Sequence, residues 1–302
     1  TGTTCVNDQY FMPEQIREAA VKSGARAVIT RPIVDMSGDL QERINEFRNF
    51  YESRDESNDL ITYSVAPHSL YTCSDKALEA CADLAKEYNL PIHTHFLESI
   101  DEIEDIKNKH GTILAHCVKL TDEDIEILKT MDCGIAHNPI SNLRLGCKIA
   151  DTTKYLKQGL NVALGTDGQG SGSNMDMFEA MRVACLAQGG IHENEERITA
   201  KDAVQMATIN GAKLLQLDNK IGSIEVGKDA DIILVNIEEK LDNITMLPNL
   251  NEIANLVYNT SGRNVDTTIV KGNILMENRE IKHIDVKEAV NKCNQILERL
   301  SK

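Results

Sequence analysis

The sequence predicts an α/β fold: a TIM-like (β/α)8 barrel, followed by a small partial β-sandwich domain and a C-terminal helix. Short apolar runs alternate with helical patterns of about 10–15 residues, which is typical of βα units around a parallel sheet. Polar side chains recur where the apolar runs end, as expected of a barrel whose strand ends face one central site. An open, doubly wound sheet is disfavoured because no glycine-rich phosphate turn follows the first strand. The strand-end residues are Asp8, Arg31, His68, His95, His116, His137 and Asp167.

The predicted strands and helices of the barrel run from residue 1 to residue 217. Gly24 ends the first helix, and Thr121 with Asp124 forms a capping box that begins a later one. Because a closed barrel has eight strands and only about seven are predicted, we expect the first barrel strand to be missing from this sequence. Strands are predicted at 1–8, 26–30, 61–66, 92–96, 112–117, 133–137 and 160–165, and helices at 14–23, 39–54, 75–88, 101–109 and 200–217.

The pattern changes after residue 217. Residues 221–235 are predicted to form a turn and a strand, and 265–276 two strands around Lys271, Gly272 and Asn273. Residues 285–301 have the spacing of an amphipathic helix. We therefore predict a barrel at 1–217 that contains barrel strands 2–8, a partial β domain at 218–282, and a C-terminal helix at 283–302.

Charge and composition limit the classes of partner. With 32 Lys and Arg against 47 Asp and Glu, the net charge is −15, so the chain lacks the basic surface that nucleic acid or an anionic membrane requires. No apolar run approaches the roughly 18 residues of a membrane span. The eight cysteines are scattered without a CxxC pair, so we expect reduced thiols. These features predict a cytoplasmic protein that binds neither nucleic acid nor membrane.

Three strand ends carry side chains that could hold a metal ion. In the segment 91–98, His93 and His95 share one face of an extended chain, and Glu98 follows where the chain can turn. The runs at 112–117 and 161–167 bring His116 and Asp167 to their own ends. Two histidines and an aspartate at one barrel rim are donors that suit a divalent metal ion, so the pattern predicts most of a metal-dependent hydrolase site.

Seven motifs, in order along nearly the whole chain, carry a resemblance to a known family. The chain resembles the amidohydrolase superfamily, and within it the branch of S-adenosylhomocysteine, 5′-methylthioadenosine and 5′-deoxyadenosine deaminases. The motifs are Gly-Thr-Thr at 2–4, Ala-Pro-His-Ser-Leu-Tyr-Thr-Cys at 66–73, His-Thr-His-Phe-Leu-Glu at 93–98, Leu-Ala-His-Cys-Val at 114–118, Ala-His-Asn-Pro-Ile-Ser-Asn-Leu-Arg-Leu-Gly at 136–146, Ala-Leu-Gly-Thr-Asp-Gly at 163–168 and Gly-Ser-Ile-Glu-Val-Gly-Lys-Asp-Ala-Asp at 222–231.

The resemblance implies a role for each matched residue. His95 and Asp167 would be metal ligands, and Glu98 would be the proton shuttle. His116 would orient or polarise the attacking water and the developing oxyanion, and Asp167 would accept the proton of that water. The implied reaction is hydrolytic deamination of an adenosine derivative, in which hydroxide on one Zn²⁺ or Fe²⁺ per site attacks purine C6 and releases an inosine derivative and ammonia.

Further residues are expected to face the nucleoside substrate. Glu98, His68, His137 and Asn138 would line its site, and Arg31 and Arg43 would hold a carboxylate such as that of homocysteine. Turn-stabilising hydrogen bonds are the alternative for the two histidines and for Asn138, and a solvated surface position is the alternative for the arginines. Two neighbours of Asn138, Ser141 and Asn142, are expected either to shape the loop beside the site or to serve only its turn.

The sequence departs from the family pattern at one point. Relatives carry a His-x-His pair at the end of the first barrel strand, and no such pair precedes Gly-Thr-Thr at 2–4. We therefore expect a C-terminal portion of a deaminase whose full-length form is a homo-oligomer. Two alternatives stay open: another amidohydrolase chemistry, such as a guanine or triazine-type deaminase or hydrolase, and an inactive truncated barrel that acts as a scaffold.

Overall fold

The computed structural model describes residues 1–97, 112–172, 174–193, 196–237 and 252–301. The helix predicted at 101–109 and the predicted proton shuttle Glu98 lie outside these ranges. The strands are β1 Cys5–Gln9, β2 Arg26–Thr30, β3 Pro32–Ile33, β4 Ile61–Tyr63, β5 Ala66–Pro67, β6 Ile92–Phe96, β7 Thr112–His116, β8 Cys133–His137, β9 Asn161–Leu164, β10 Ile232–Val235, β11 Val265–Val270, β12 Asn273–Glu277 and β13 Glu280–Ile281. The helices are α1 Pro13–Ser23, α2 Leu40–Glu52, α3 Asp75–Tyr88, α4 Asp122–Leu128, α5 Pro139–Arg144, α6 Thr152–Lys157, α7 Met177–Ile191, α8 Ala200–Ala207, α9 Ile209–Leu214, α10 Glu252–Tyr258 and α11 Val286–Leu300.

The strands of the first two thirds of the chain run parallel. The orders are β1-β2-β4 and β6-β7-β8-β9, and the pair β3-β5 with the bridges Val65–Ile92 and Ser69–His95 connects the two groups. Asn7 on β1 places its Nδ2 3.2 Å from His93 Nδ1 on β6, although β2 and β4 lie between them in the strand order. Because neighbouring strands stand about 4.8 Å apart, this contact requires a strongly curled sheet. The predicted barrel-type α/β architecture is consistent with this curvature, while the number of barrel strands stays a prediction.

Local signals explain where several helices begin and end. The Ser74 hydroxyl accepts the Ala77 N–H at the start of α3, and Asp39 caps α2 in the same way through Glu42 N–H. The capping box predicted at Thr121 is present at α4, and Gly24 adopts the left-handed angle, φ 73°, that ends α1. These helices therefore fall where their capping residues place them.

The helix predicted at 200–217 is wrong as a single element. The structure has two helices, α8 and α9, broken at Thr208 with φ −129° and ψ −97°. The break changes the direction of the chain, so that Asn210 Nδ2 donates to the carbonyl oxygen of Val162 at 2.9 Å. On α9, Leu214 packs on Ile113 and Ala163 inside the curled sheet. This packing fills the interior near the amino ends of the strands and leaves their carboxyl ends to the site.

A second, antiparallel sheet follows in the order β10-β11-β12-β13, and it contains the hairpin predicted around Lys271. The guanidinium of Arg26, buried at the start of β2, pairs with Asp229 at 2.8 Å and with Asp231 at 2.9 Å. This buried ion pair ties the loop before β10 to the parallel sheet. The predicted division of the chain at 217 and 282, and the partial sandwich, stay predictions.

The last helix, α11, is present as predicted, with Asp285 accepting the Glu288 N–H at its start. Its residues are exposed along its whole length, including Val290, Leu297 and Leu300 on the apolar side. Among the described helices, none is long and apolar enough to cross a bilayer.

Candidate metal and active site

The backbone turns sharply where β6, β7 and β9 end. Leu97, His116, Cys117 and Asp167 have left-handed φ angles of 47°, 76°, 49° and 59°. Residues other than glycine adopt such angles at a cost of about 1–3 kcal/mol, and they gather at functional sites. Three strand ends that the sequence singled out for metal chemistry therefore share the same unusual backbone.

This turn changes where His116 points. Regular alternation would place it on the same face of β7 as Leu114, which packs in the core with Ile125 and Leu128 of α4. With two successive left-handed residues, the imidazole instead lies beside that of His95, at 5.5 Å between ring centroids. His95 and His116 thus occupy one site at the carboxyl ends of β6 and β7.

His95 is oriented for metal ligation. Its Nδ1 lies 2.6 Å from the main-chain carbonyl oxygen of His68. A carbonyl oxygen can only accept, so Nδ1 carries the proton and the lone pair of the neutral ring is on Nε2. A histidine held by such a hydrogen bond is the usual form of a metal-ligating histidine.

Both oxygens of the Asp167 carboxylate accept hydrogen bonds. Ser141 Oγ donates to Oδ2 at 2.5 Å, and the Gly168 N–H donates to Oδ1 at 2.6 Å. Burial raises the pKa of this carboxyl, but the hydrogen bonds from Ser141 and Gly168 and the nearby His116 lower it, and the net shift is downward. Asp167 is therefore ionised at neutral pH, as a metal ligand must be.

The ring of His116 is buried, and Asn142 fixes one of its nitrogens. Asn142 Nδ2 lies 2.9 Å from His116 Nδ1, and both side chains are inaccessible to solvent. With the amide donating to Nδ1, the proton of the neutral ring sits on Nε2. His116 can then donate a hydrogen bond from Nε2 to an oxygen in the site, which is the polarising role predicted for it.

His68 stands next to His95, with 4.7 Å between ring centroids. Its Nδ1 lies 3.0 Å from Thr72 Oγ1. Burial, with a smaller contribution from His95, lowers the pKa of His68 to about 4, so its ring is neutral at pH 7. The structure therefore brings His68 into the same cluster as His95 and His116.

His137 and Asn138 contact protein rather than an open cavity. His137 is completely buried, and neither ring nitrogen has a hydrogen-bond partner in the described structure. Burial, with a contribution from His116, lowers its pKa to about 3. Asn138 Nδ2 donates to the Ala136 carbonyl at 3.2 Å, and its Oδ1 would lie 2.3 Å from a Cβ at position 165, so any larger residue there would force Asn138 to move. Substrate contact by these two residues stays a prediction.

Arg31 and Arg43 meet at one carboxylate. Arg31 Nη2 lies 2.5 Å from Glu46 Oε2, and Arg43 Nη1 lies 3.0 and 2.9 Å from the two carboxylate oxygens. Burial raises the pKa of Glu46, but the hydrogen bonds from both arginines outweigh it and lower the pKa. Two cations thus share one carboxylate just beyond the end of β2, and the nearby Glu42 also acts on Arg43.

The described residues supply only part of a metal site. They contain no group of three or more His, Cys, Asp or Glu side chains placed to hold an ion. His95 and Asp167 fit as two oriented ligands, and catalytic zinc usually has three from the protein. Two cavities, of about 510 and 480 Å³, lie elsewhere and include none of the predicted site residues.

The structure gives three residues a larger role than the sequence predicts. The sequence does not decide whether Ser141 and Asn142 serve the site or only a turn, and it does not predict that Glu46 pairs with the two arginines. Ser141 and Asn142 each contact a residue 26 positions away, so no local pattern marks them. The motif at 136–146 was the signal that included them. The signal for Glu46 was its position one helical turn after Arg43.

The chain is similar to known proteins over most of its length. Residues 1–275 match the model of the amidohydrolase family. A 5-methylthioadenosine/S-adenosylhomocysteine deaminase of Thermoanaerobacter pseudethanolicus is 39% identical over 309 residues, covering 96% of this chain and 71% of the relative. A 5′-deoxyadenosine deaminase of Methanocaldococcus jannaschii is 39% identical over 319 residues, covering 99% and 74%.

A solved structure shows the same fold. The crystal structure of an adenosine deaminase from Xanthomonas campestris with bound zinc superposes with a TM-score of 0.89 and 26% identity, covering 99% of this chain and 72% of that one. Nearly all of the present chain therefore has the fold of that deaminase.

Proposed function

This chain belongs to the amidohydrolase family, and we propose that it catalyses the metal-dependent hydrolytic deamination of an adenosine derivative. The substrate would be S-adenosylhomocysteine, 5′-methylthioadenosine or 5′-deoxyadenosine, and the products the inosine derivative and ammonia. The observation that supports the proposal is that His95 and His116 lie side by side at the ends of adjacent strands, and that Asp167 lies near enough to His116 for the two groups to interact electrostatically. Each of the three side chains has its orientation set by a hydrogen bond. Relatives named for these substrates are 39% identical.

We propose that one zinc ion binds through His95 Nε2 and Asp167, together with a ligand that is not among the described residues. The donor types suit zinc, and the solved relative from Xanthomonas campestris contains it. A divalent ion there would act as a Lewis acid and make hydroxide available near neutral pH.

The protein side chains would carry the protons. Asp167, ionised at neutral pH, would accept a proton from the attacking water and pass it to the C6 amino group, which leaves as ammonia. Glu98 would deliver a proton to purine N1 and take one back from the hydroxyl group on C6 as ammonia leaves, and this role rests on the family resemblance. His116, with its proton on Nε2, would donate a hydrogen bond to the oxygen that adds to C6.

Arg31 and Arg43 would select among substrates by binding the 5′ substituent. Arg31 and Arg43 share Glu46, and each guanidinium has further N–H donors that could bind a carboxylate. S-Adenosylhomocysteine carries such a carboxylate, whereas 5′-methylthioadenosine and 5′-deoxyadenosine do not. We therefore propose that these residues favour the homocysteine-bearing substrate.

An assay of the intact gene product tests the proposal. The protein is loaded with zinc and mixed separately with the three nucleosides, with adenosine and with guanine, while the loss of adenine absorbance and the release of ammonia are followed. We expect turnover of at least one 5′-modified adenosine and loss of that turnover when a chelator removes the zinc. Zinc-loaded protein that turns over none of the three nucleosides would overturn the proposal.

A further inference from the structure

We propose that helix α5 is a positioning element whose successive side chains, Ser141 and Asn142, control the two halves of the site separately. Ser141 sets the carboxylate of Asp167 for the metal ion, and Asn142 sets the imidazole of His116 for the reacting oxygen. The inference rests on the proposed function and deepens it. Neither residue would touch substrate.

The hydrogen bond of Ser141 is short and buried from solvent. Its side chain is fully buried, and Oγ donates to Asp167 Oδ2 at 2.5 Å. The other carboxylate oxygen accepts from the Gly168 N–H. Ser171 also donates a side-chain hydrogen bond to this carboxyl, but Ser141 supplies the contact made by helix α5, so loss of its hydroxyl would loosen the carboxylate at Oδ2. Removing such a supporting hydrogen bond typically weakens metal binding by about 10–100-fold.

The contact of Asn142 acts on a different residue. Its amide is fully buried and donates to His116 Nδ1 at 2.9 Å, which holds the ring with its proton on Nε2. Without that donor the proton is free to move to Nδ1, and the ring would then present a lone pair where the reaction needs a donor. This change lowers the chemical rate without removing a metal ligand.

The helix is anchored so that it can hold both contacts at once. Pro139 occupies its first turn, and the carbonyl oxygens of Ser141 and Asn142 accept from Leu145 and Cys147, both at 2.9 Å. At its start, Asn138 packs against Gly165 at the end of β9, and the Gly165 N–H donates to the His137 carbonyl at 2.8 Å. Helix α5 is thus fixed to the strand end from which Asp167 extends.

The test compares single variants of the intact gene product. Ser141→Ala removes the hydroxyl, Ser141→Thr keeps it, and Asn142→Leu keeps the side-chain size but removes the amide. Leu143→Ala is the matched control, because Leu143 lies on the same helix with its side chain exposed. Zinc affinity is measured by competition with a chelator, and kcat, KM and the unfolding midpoint are measured on the same preparations.

We expect Ser141→Ala to lower zinc affinity about 10–100-fold and Ser141→Thr to restore most of it. Asn142→Leu should bind zinc as the parent does, and its kcat should fall about 100-fold or more with little change in KM. Leu143→Ala should match the parent in each measurement.

Unchanged zinc affinity in Ser141→Ala, or an equal loss of zinc in Asn142→Leu, would overturn the inference. If Asn142→Leu does not fold, Asn142→Ser is judged by the same two criteria. The zinc measurement does not depend on turnover. A parent protein that binds zinc but deaminates no nucleoside would therefore refute the proposed function while the role of Ser141 is still decided.

Discussion

The Nδ1 atom of His95 lies 2.6 Å from the main-chain carbonyl oxygen of His68. Because the acceptor is backbone, the orientation of His95 depends on the position of the strand beside it and not on the side chain of His68. The two segments are held together by the bridge between Ser69 and His95 and by the His95 N–H, which donates to the same carbonyl at 3.0 Å. The direction of His95 Nε2, the proposed metal-binding nitrogen, is thus set by strand register.

His68→Ala should therefore keep the metal and lose catalytic efficiency. The carbonyl at position 68 remains, so we expect the zinc content to match that of the parent. Loss of the imidazole would remove one predicted hydrogen bond to the substrate, so kcat/KM should fall by about 10-fold. Metal analysis and steady-state kinetics measure both quantities, and loss of zinc in His68→Ala would contradict the expectation.

Asp167→Asn should lose both metal and activity. A neutral amide cannot replace the carboxylate as an anionic ligand, so zinc affinity should fall and turnover should drop about 100-fold or more. The control is Asp122→Asn, because Asp122 is 85% exposed and pairs with Lys154 at the surface of the described structure. Zinc content equal to the parent in Asp167→Asn would show that the residue is not a ligand.

Arg31→Ala should act on one substrate more than on the others. Loss of a charge-assisted contact should lower kcat/KM for S-adenosylhomocysteine by about 10- to 100-fold, with a much smaller effect for 5′-deoxyadenosine, which has no carboxylate. Arg43→Ala should behave alike. Arg48→Ala is the matched control, since Arg48 lies on the same helix as Arg43 but pairs with Glu87. Equal losses for both substrates would contradict a role in carboxylate recognition.

Acid should destabilise the protein through His137. Burial lowers the pKa of this histidine to about 3, whereas an unfolded histidine titrates near 6.5. Between these values the unfolded chain binds a proton that the folded chain does not, so stability falls as the pH drops from about 6.5 towards 3. The slope is at most about 1.4 kcal/mol per pH unit, and above pH 6.5 the residue adds no pH dependence.

His137→Phe tests this dependence by urea unfolding at neutral and at mildly acidic pH. The variant should lose less stability on acidification than the parent does. His283→Phe is the control, because His283 is exposed and its substitution should leave the pH dependence as it is. An unchanged pH dependence in His137→Phe would show that the buried ring does not carry the effect.

Much of the fold could be predicted because its signals are local. Helix α3 and strand β8 have the bounds that the sequence predicts, and Ser74 and Asn89 mark the two ends of α3 as cap residues. The break between α8 and α9 could not be predicted in this way. At Thr208 the chain leaves the helical region, and just beyond the break Asn210 bonds to Val162, which is 48 residues away.

The sequence predicted which residues form the candidate site but not how their side chains are oriented. Strand ends and motifs pointed to His95, His116 and Asp167, and the structure places each at a strand end with fixed partners. The direction of His116 does not follow from alternation, because a left-handed angle at a residue other than glycine leaves no mark in the hydrophobic pattern. The holding contacts of Ser141 and Asn142 span 26 residues and are likewise invisible to local reasoning.

The left-handed pair at His116 and Cys117 limits which side chains position 117 accepts. Valine and isoleucine tolerate this backbone poorly, so either one in place of the buried Cys117 should strain the chain. A designer who grafted His116 onto another parallel strand at the same position would have to graft this kink with it, since on a regular pleat that position shares the face of Leu114, which packs against α4.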